Sequence, residues 1–568
     1  IVEWKGERIP ADQDTLDVLN QLDGLMKPTS PQDGTSSSEG SKQKHVLVVK
    51  ENFDDLNYSQ DYISRQFSIS NSKPETIKTK LKKHQEDSFE WQVASYKKGL
   101  PGILNADDQG LGKTLQSIAF LAWLQKNQKA QNRDRINPVL VVAPTSLLRN
   151  WQEEVDTHME GDKLGVRIEA YGSRLKEFRG ELKGIDTDDD STETRLNFDK
   201  LIKSDNPYPT WILTTYTTLT NYQKSFGKVT FSAVIFDEVQ NIKNPGTLQN
   251  NAAKSLNADF KIGLTGTPVE NSLTDLWSIM DTLVPGYLGT LKGFTNNFKG
   301  DDHNLLKQLY DKIFKSGTNE ADQAPLPPLG IRRMKSEAAT DLPLKRYEKY
   351  PCEMANEQEE AYKNYIDNIN SANQSGNSVS AFKQINLLRS CSLHHSRLEL
   401  AQKEEGGIGQ FLLKSARIKK AVEILHDIKD KNEKALVFLE TVEMQYLLQN
   451  FFAEYFNLDR VEIINGDVSV PRRAQIVKDF QSNMSDGKFN LLILGPKSAG
   501  VGLTLTAATH VIHLSRWWNP AVEEQCNDRI YRIGQNNDVT IHLPIAVHPE
   551  FKQRSFDCIL NNIMHRKR

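Results

Sequence analysis

The chain has 568 residues, of which 38% are hydrophobic and 26% charged. This composition can build cores for about three or four domains and excludes a wholly disordered protein. Its 71 basic and 74 acidic residues give a net charge of −3, which argues against a histone-like binder but allows a local basic groove. The four cysteines form no CxxC pair, and no apolar run reaches the ~18 residues of a membrane span. We expect an intracellular protein without a membrane partner, and a piece of a longer one because it begins at Ile1.

Residues 1–79 are predicted to be an accessory N-terminal region. A Ser-, Gly- and Pro-rich run at 28–44 is typical of a loop, and the β-branched residues at 45–53 predict a strand. We find no catalytic constellation in this region.

From about residue 80, short apolar runs alternate with helical segments, as in parallel sheets that are covered on both faces. The runs predict two α/β blocks at 80–283 and 411–545, separated by helical insertions at 284–410 and followed by a C-terminal helix at 546–568. The predicted strands lie in eight segments: 138–146, 211–216, 231–238, 260–268, 435–440, 461–466, 490–496 and 510–515.

A candidate phosphate-binding loop, GLGKT, occupies residues 110–114 between the apolar ILNA and a helical segment. Its glycines would expose backbone N–H groups to phosphate at the positive end of the helix. Lys113 would reach the β- and γ-phosphates of ATP, and the Thr114 hydroxyl would bind Mg²⁺. Asp107 stands where this motif usually has its first glycine.

An acidic pair ends the apolar strand VIFDE, about 125 residues after the phosphate loop. Asp237 is predicted to hold the Mg²⁺ shell, and Glu238 to polarise the attacking water. A solvated strand end is the simpler interpretation of most such pairs. The preceding phosphate loop favours ATP hydrolysis.

These motifs resemble those of the SWI/SNF-type DNA translocases of helicase superfamily 2, from about His84 to beyond Gln535. HQEDSFEWQ at 84–92 resembles their adenine-reading segment, which implies that Gln85 contacts the base. ADDQGLGKT at 106–114 resembles their phosphate loop. The resemblance implies ATP contacts by Asp107, Gln109, Gly110, Leu111, Gly112, Lys113 and Thr114.

Further segments of the first block carry the same resemblance. LVVAPTSLLRNWQEE at 140–154 and ILTTYTTL at 212–219 resemble strand-gripping segments and imply DNA contacts by Arg149 and Thr215. FDEVQNIKNP at 236–245 resembles the DEAH-type box, with Gln240 where most members have His, as in prokaryotic members.

Two later segments complete the resemblance of this block. LTGTPVENSLTDLWSI at 264–279 resembles the segment that couples hydrolysis to lobe movement, and implies that role for Thr265, Gly266 and Thr267, together with Gln240. IRRMKSEAATDLP at 331–343 resembles the family's linker, and implies that Arg332, Arg333 and Lys335 are DNA contacts.

The second block contains the most specific stretch of the chain, residues 498–535, with its WWNP turn and DRIYRIGQ ending. It resembles the family's fifth and sixth motifs. Arg529 and Arg532 are implied as arginine fingers that reach the γ-phosphate, with Gln525 beside them. Lys497, just before this stretch, is a further candidate DNA contact. An exposed helix face is the ordinary alternative for two arginines at this spacing.

The resemblance implies an α/β fold of two RecA-like lobes with parallel sheets and helical insertions between them. It implies ATP and Mg²⁺ as cofactors and double-stranded DNA as the partner along which ATP hydrolysis drives translocation. A strand-separating helicase and a nucleotide-gated DNA-binding scaffold are the alternatives. A prokaryotic, cytoplasmic and nucleoid-associated protein is expected, working with other subunits in DNA repair, transcription or phage defence of the Zorya type.

Overall fold

The structure is a computed structural model. It describes residues 2–4, 7–9, 51–56, 62–131, 136–161, 163–180, 184–188, 193–198, 209–269, 272–298, 302–319, 324–338, 342–374, 381–395, 406–482, 488–496, 503–517 and 519–567. The chain divides into two compact units. The first unit is Ser38–Thr340, and the second unit is Ile1–Ser37 with Asp341–Arg568.

The first unit is built on a seven-stranded sheet in which every pair of neighbours is parallel. Its order is β7-β1-β6-β5-β2-β4-β3. The strands are β1 Gly102–Asn105, β2 Val139–Val142, β3 Val166–Glu169, β4 Thr210–Thr214, β5 Ala233–Asp237, β6 Lys261–Leu264 and β7 Gly330–Ile331. All residues of the four adjacent strands β1, β6, β5 and β2 are buried, so both faces of this part of the sheet are covered.

The helices of the first unit are α1 Lys83–Lys97, α2 Lys113–Ala130, α3 Leu148–His158, α4 Tyr216–Asn221, α5 Gln223–Gly227, α6 Leu248–Lys254, α7 Leu273–Leu283, α8 Leu291–Asn297, α9 His303–Phe314 and α10 Lys335–Ala338. Helix α2 follows the phosphate loop and is apolar on most of its faces, and 13 of its 18 residues are buried. A helix of this composition belongs in the interior. It therefore anchors the loop that precedes it to the core.

The second unit is built on a six-stranded parallel sheet with the order β8-β13-β12-β9-β11-β10. The strands are β8 Lys345–Glu353, β9 Lys434–Phe438, β10 Glu462–Ile464, β11 Asn490–Leu494, β12 His510–His513 and β13 Val539–Val547. Alternate residues of β9 enter two different core clusters: Ala435 and Val437 in one, Leu436 and Phe438 in the other. This sheet is therefore also covered on both faces.

The helices of the second unit are α11 Asn356–Gln374, α12 Ala381–Leu393, α13 Gly407–Leu413, α14 Ala416–Asp430, α15 Val442–Phe456, α16 Val470–Ser482, α17 Pro520–Asn527 and α18 Phe556–Lys567. Short strand pairs complete the described structure: Val2–Trp4 with Glu7–Ile9, Thr230–Phe231 with Asn257–Ala258, and Gly317–Thr318 with Pro325–Leu326. Within the described residues, no helix is long and apolar enough to cross a bilayer.

The predicted fold class is confirmed: α/β, with two parallel RecA-like sheets. All eight predicted strand segments contain a strand. The predicted N-terminal strand at 45–53 and the loop at 28–44 fall largely or wholly outside the described residues. The predicted insertion at 284–410 is divided between the units, because the boundary lies at 340/341. The other predicted domain boundaries stay predictions.

Candidate nucleotide site

Three predicted motifs begin at the same edge of the first sheet. Strands β1, β6 and β5 are parallel neighbours, and Leu264 is in register with both Asn105 and Asp237. The phosphate loop after β1, the coupling segment after β6 and the acidic pair at the end of β5 therefore leave the sheet side by side. The carboxyl edge of a parallel sheet is where α/β proteins bind their ligands.

The phosphate loop is held in a conformation that depends on its glycines. Gly110 and Gly112 have φ values of 84° and 81°, in the left-handed region that favours glycine, and Gly112 caps the N-terminus of α2. A Cβ on Gly112 would lie 2.4 Å from Nε2 of Gln85. Nζ of Lys113 donates to the carbonyl oxygens of Asp107 (2.7 Å) and Asp108 (3.2 Å). Thr114 follows in the first turn of α2.

The carbonyl oxygen of Leu111 is a focus of hydrogen bonds inside this loop. It accepts from Nε2 of Gln85 (3.3 Å) and Nε2 of Gln116 (3.1 Å), and it lies 3.0 Å from Nε2 of His84. Gln116 also accepts a hydrogen bond from Asn105 at 2.7 Å. The four side chains are buried and fix the loop against α1 and α2. The role of Gln85 as adenine contact stays a prediction.

Asp107, at the start of the loop, is fully buried and is paired with Arg333. Nε and a terminal nitrogen of Arg333 donate to its two carboxylate oxygens at 3.0 and 2.5 Å. The guanidinium also donates to the carbonyl oxygen of His84 at 2.5 Å. A planar fork of this kind is the strongest geometry available to an arginine–carboxylate pair.

The acidic pair begins with Asp237, whose carboxylate is buried at the end of β5. Oδ2 accepts a 2.8 Å hydrogen bond from Nε1 of Trp151, and Oδ1 accepts one of 3.0 Å from the backbone N–H of Glu238. Burial, and then the charge of Glu238, raise the pKa of Asp237 to about 7, while the Trp151 bond and the charge of Lys113 act in the opposite direction. A cation beside this carboxylate would favour its ionised form.

Glu238 has a left-handed backbone, with φ 51° and ψ 56°. A non-glycine residue in this region carries strain that its surroundings must hold. The Tyr216 hydroxyl donates to the carbonyl oxygen of Asp237 at 2.8 Å, and Nδ2 of Asn241 donates to that of Glu238 at 2.7 Å. Nε2 of Gln240 donates to a carboxylate oxygen of Glu238 at 2.7 Å. The backbone therefore aims the Glu238 side chain, and Gln240 orients its carboxylate.

The coupling segment packs directly on the phosphate loop. A Cβ on Gly266 would lie 2.7 Å from Cγ of Gln109, so only glycine fits without a shift. Oγ1 of Thr265 accepts the backbone N–H of Thr267 at 2.9 Å. Within the described residues, Oγ1 of Thr267 and Oε1 of Gln240 are buried without a hydrogen-bond partner. Two polar oxygens at this edge of the sheet are thus available to a ligand or to water.

In the second unit, Arg529 and Arg532 lie in turns that follow α17, which ends at Asn527. The alternative of an exposed helix face therefore does not apply to them. Arg529 is buried, and its Nε donates to the carbonyl oxygen of Gln525 at 2.9 Å. Arg532 is half-buried and belongs to the same turn region.

The structure gives three of the predicted DNA contacts other partners. Arg333 is bound to Asp107. The Thr215 hydroxyl caps α4, accepting the backbone N–H of Thr218 at 3.0 Å. Lys335 is buried, and its backbone N–H donates to Asp108 at 3.0 Å. The DNA-binding roles of Thr215, Arg333 and Lys335 therefore stay predictions.

The remaining DNA candidates are exposed or lie outside the described residues. Arg332 is exposed. Arg149 is exposed on α3 in an i, i+4 ion pair with Glu153 at 2.7 Å, a kind of pair that contributes little and is readily exchanged. Lys497 lies outside the described residues. Arg149, Arg332 and Lys497 stay predictions.

Sequence reasoning did not assign roles to Trp151, Tyr216, His84 and Gln116. Trp151 lies within the strand-gripping resemblance, but a tryptophan on an amphipathic helix is usually a core residue, so no independent signal marked it. Tyr216 gave no signal either, because its partner is a backbone carbonyl 21 residues away. Only the folded chain brings Trp151 and Tyr216 to Asp237, and His84 and Gln116 to the carbonyl oxygen of Leu111.

Comparison with known proteins identifies the family. The model of the SNF2-related domain matches residues 84–397, and that of the helicase conserved C-terminal domain matches residues 416–534. Zorya protein ZorD of Escherichia coli O139:H28 is 31% identical, over 92% of this chain and 48% of its own. The putative ATP-dependent helicase/translocase YwqA of Bacillus subtilis is 32% identical, over 87% of this chain and 50% of its own.

A solved structure is also similar in sequence: the Sulfolobus solfataricus SWI2/SNF2 ATPase core in complex with dsDNA is 30% identical, covers 88% of this chain and 97% of that chain, and superposes with a TM-score of 0.40. The chain spans about half the length of the two bacterial relatives. The resemblance predicted from the motifs is confirmed. The chain belongs to the SNF2-related, SWI/SNF-type ATPases of helicase superfamily 2 and has bacterial relatives.

Proposed function

We propose that this ATPase converts ATP hydrolysis into translocation along double-stranded DNA. The observation that carries the proposal is the register of β1, β6 and β5, in which Asn105, Leu264 and Asp237 are aligned. It brings the phosphate loop, the coupling segment and the acidic pair to one edge. A B. subtilis relative named as a putative helicase/translocase supports the motor function.

The residues at this edge fit a nucleotide with its magnesium ion. Asp237 offers a buried carboxylate, and the charge of a Mg²⁺ ion beside it would favour its ionised form. Lys113 and Thr114, at the positive end of α2, would take the phosphates and the ion. When bound, Mg²⁺ would neutralise charge on the phosphate oxygens.

In this proposal each side chain of the acidic pair has its own task. Asp237 and Thr114 hold Mg²⁺, while Glu238 orients and polarises the attacking water. Gln240, bonded to Glu238, links the attacking water to the coupling segment. Arg529 and Arg532, with Gln525 beside them, would stabilise charge on the γ-phosphate from the second unit.

DNA would be held mainly through its phosphates, so binding is expected to tolerate sequence and to weaken with salt. The candidates are Arg149 and Arg332 on the first unit and Lys497 on the second. The net charge of −3 requires that such a groove be local. The chain's similarity to a Zorya protein supports a role beside other subunits in phage defence, in the prokaryotic cytoplasm at the nucleoid. DNA repair and transcription complexes are the other settings.

A triplex displacement assay tests translocation directly. The substrate is a duplex that carries a short third strand at one end, and the protein is the full chain with ATP and Mg²⁺. We expect ATP-dependent release of the third strand while the duplex strands stay paired, and no release by Glu238→Gln.

Two other results would replace the proposal. Separation of the strands of a forked duplex would make the protein a helicase. ATP-dependent DNA binding without hydrolysis or displacement would make it a nucleotide-gated scaffold.

A further inference from the structure

We propose that Arg333 is a positioning residue of the nucleotide site: by holding Asp107, it sets the phosphate loop in the conformation that receives ATP. The inference rests on the proposed ATPase function. It assigns Arg333 to the nucleotide site and not to the predicted DNA contacts. It also explains why Asp107 occupies the position at which most phosphate loops have glycine.

The backbone around Arg333 extends the sheet into the phosphate loop. The N–H groups of Leu104, Ala106 and Asp108 donate to the carbonyl oxygens of Leu329, Ile331 and Arg333, at 2.8, 2.8 and 3.1 Å. These are the evenly spaced bonds of a parallel ladder. The ladder thus runs past the last residue of β1 and pairs the first three loop residues with the segment that contains Arg333.

The side chain of Arg333 also holds the loop, through its bonds to Asp107. Besides its fork to the two oxygens of Asp107, the Arg333 backbone N–H donates to Oδ1 of Asp107 at 3.1 Å. Oδ1 of Asn105 accepts the backbone N–H of Asp107 at 3.1 Å. The carbonyl of Asp107, in turn, accepts Nζ of Lys113. One residue therefore links Arg333 to the lysine that is proposed to meet the phosphates.

The burial of Asp107 raises the energetic cost of breaking its ion pair with Arg333. Asp107 is 0% exposed, whereas its partner side chain is 23% exposed. A buried carboxylate that loses its cation is costly, because neither water nor another charge replaces the lost bonds. The loop then has to rearrange until the carboxylate is solvated. Such a rearrangement would displace the glycines and Lys113 from the geometry in which they meet ATP.

The position of Arg333 in the chain adds a second consequence. Eight residues after Arg333, at Asp341, the chain enters the second unit. The segment that leaves the first unit is therefore also the segment that holds the phosphate loop. A displacement of this segment would be transmitted to the nucleotide site through the Arg333–Asp107 pair.

The test compares steady-state ATP hydrolysis and fluorescent-ADP binding in four proteins: the unchanged chain, Arg333→Gln, Arg333→Lys and the neutral pair Asp107→Asn with Arg333→Gln. For Arg333→Gln we expect KM for ATP and Kd for ADP to rise on the order of tenfold or more, the size of a lost charge-assisted hydrogen bond. The expected change in kcat is much smaller, because the lost contact positions bound nucleotide in ground and transition states alike. Arg333→Lys should recover part of the affinity, since it restores the charge without the fork.

The neutral pair removes the problem of a protein that fails to fold, because it leaves no buried charge unpaired. Its KM should stay raised on the order of tenfold, since the fork is still missing. Arg174→Gln is the matched control: Arg174 is an exposed arginine of the first unit in an ion pair with Glu169 at 3.3 Å, and both constants should be unchanged.

Parental KM and Kd in Arg333→Lys and in the neutral pair would overturn the proposal. A fall in kcat alone, with both constants at parental values, would overturn it as well. If the unchanged chain hydrolyses no ATP under any condition, the proposed function fails instead, and the ADP-binding measurement still decides the role of Arg333.

Discussion

The indole Nε1–H of Trp151 donates a 2.8 Å hydrogen bond to Oδ2 of Asp237. A fully buried tryptophan on α3 thus holds the carboxylate that ends β5. The contact joins the strand-gripping segment at 140–154 to the acidic pair, which the sequence separates by 86 positions. A change in the position of α3 would therefore shift the carboxylate of Asp237, the proposed magnesium ligand.

Trp151→Phe removes this bond and keeps most of the apolar volume. We expect the free energy of unfolding to fall by about 1–3 kcal/mol, because a buried carboxylate loses a donor, and kcat to fall with it. Urea denaturation and ATPase assays measure the two effects. Trp123→Phe is the control, since the Nε1–H of this buried tryptophan donates at 2.8 Å to the carbonyl oxygen of Ser70 and not to the acidic pair. An unchanged kcat in Trp151→Phe would contradict the account of the contact.

Glu238→Gln replaces the water-polarising carboxylate by an amide of the same shape. We expect ATP still to bind, because Lys113 and the loop are intact, while turnover falls on the order of 10²–10⁴-fold, the usual contribution of a general base. Thermal stabilisation by ATP and steady-state hydrolysis separate the two effects. Glu153→Gln, which neutralises an exposed glutamate of the same unit, is the control for the loss of charge. Normal turnover in Glu238→Gln would remove the role assigned to this carboxylate.

Arg532→Ala tests the proposed arginine finger. We expect hydrolysis to fall on the order of 10³-fold, as for the fingers of other nucleotide hydrolases, without loss of the fold. Arg529→Ala is expected to destabilise the second unit as well, because Arg529 is buried and bonded to the carbonyl oxygen of Gln525. Arg460→Ala, at an exposed arginine paired with Glu462, is the control. A loss of only twofold in Arg532→Ala would transfer the role to Arg529 or remove it.

A buried pair of histidines predicts how stability depends on pH. Nδ1 of His510 and Nε2 of His542 lie 3.0 Å apart, and Nδ1 of His542 lies 3.0 Å from the Tyr350 hydroxyl. Burial lowers the pKa of His542 from 6.5 to about 3 and also lowers that of His510. Glu433, Glu348 and Lys431 are the other charges that act on the pair.

In the unfolded chain His542 therefore binds a proton near pH 6.5, whereas in the folded chain it binds one only near pH 3. Stability is present above pH 6.5 and is lost as the pH falls, by up to about 1.4 kcal/mol per pH unit for one such group. We expect Tm to fall between pH 7 and pH 5, and His542→Gln to flatten part of that fall. Exposed His426→Gln should leave the slope unchanged. A Tm that does not change over this range would contradict the burial of neutral histidines.

The sequence predicted the sheet strands where they are short, apolar and fully buried. It missed the short strands β3 and β7, and it missed β8 and β13, the nine-residue pair Lys345–Glu353 and Val539–Val547. Strand β8 is a half-exposed edge strand rich in charge, and Pro351 and Pro544 interrupt both patterns. Pro351 lies on the edge strand β8, whose outer N–H groups need no partner, and Pro544 lies in β13 beyond His542, the last residue that pairs with β12. The pairing of β8 with β13 is therefore visible only in the fold.

The candidate site was predictable as far as it is local. Lys113, Asp237 and Glu238 lie in contiguous motifs, and the parallel topology brings the motifs together. Arg333 was not predictable, because an arginine in a basic run favours a DNA contact. Its partner Asp107 lies 226 positions away and is recognisable only when β7 pairs with β1.

The most direct test of the proposed motor is the steady-state rate of ATP hydrolysis without nucleic acid, with single-stranded DNA and with duplexes of increasing length. A double-stranded DNA translocase predicts strong stimulation by the duplex that rises with its length and weakens with salt. Stimulation by single strands alone, with none by the duplex, would contradict the account and favour a strand-separating helicase.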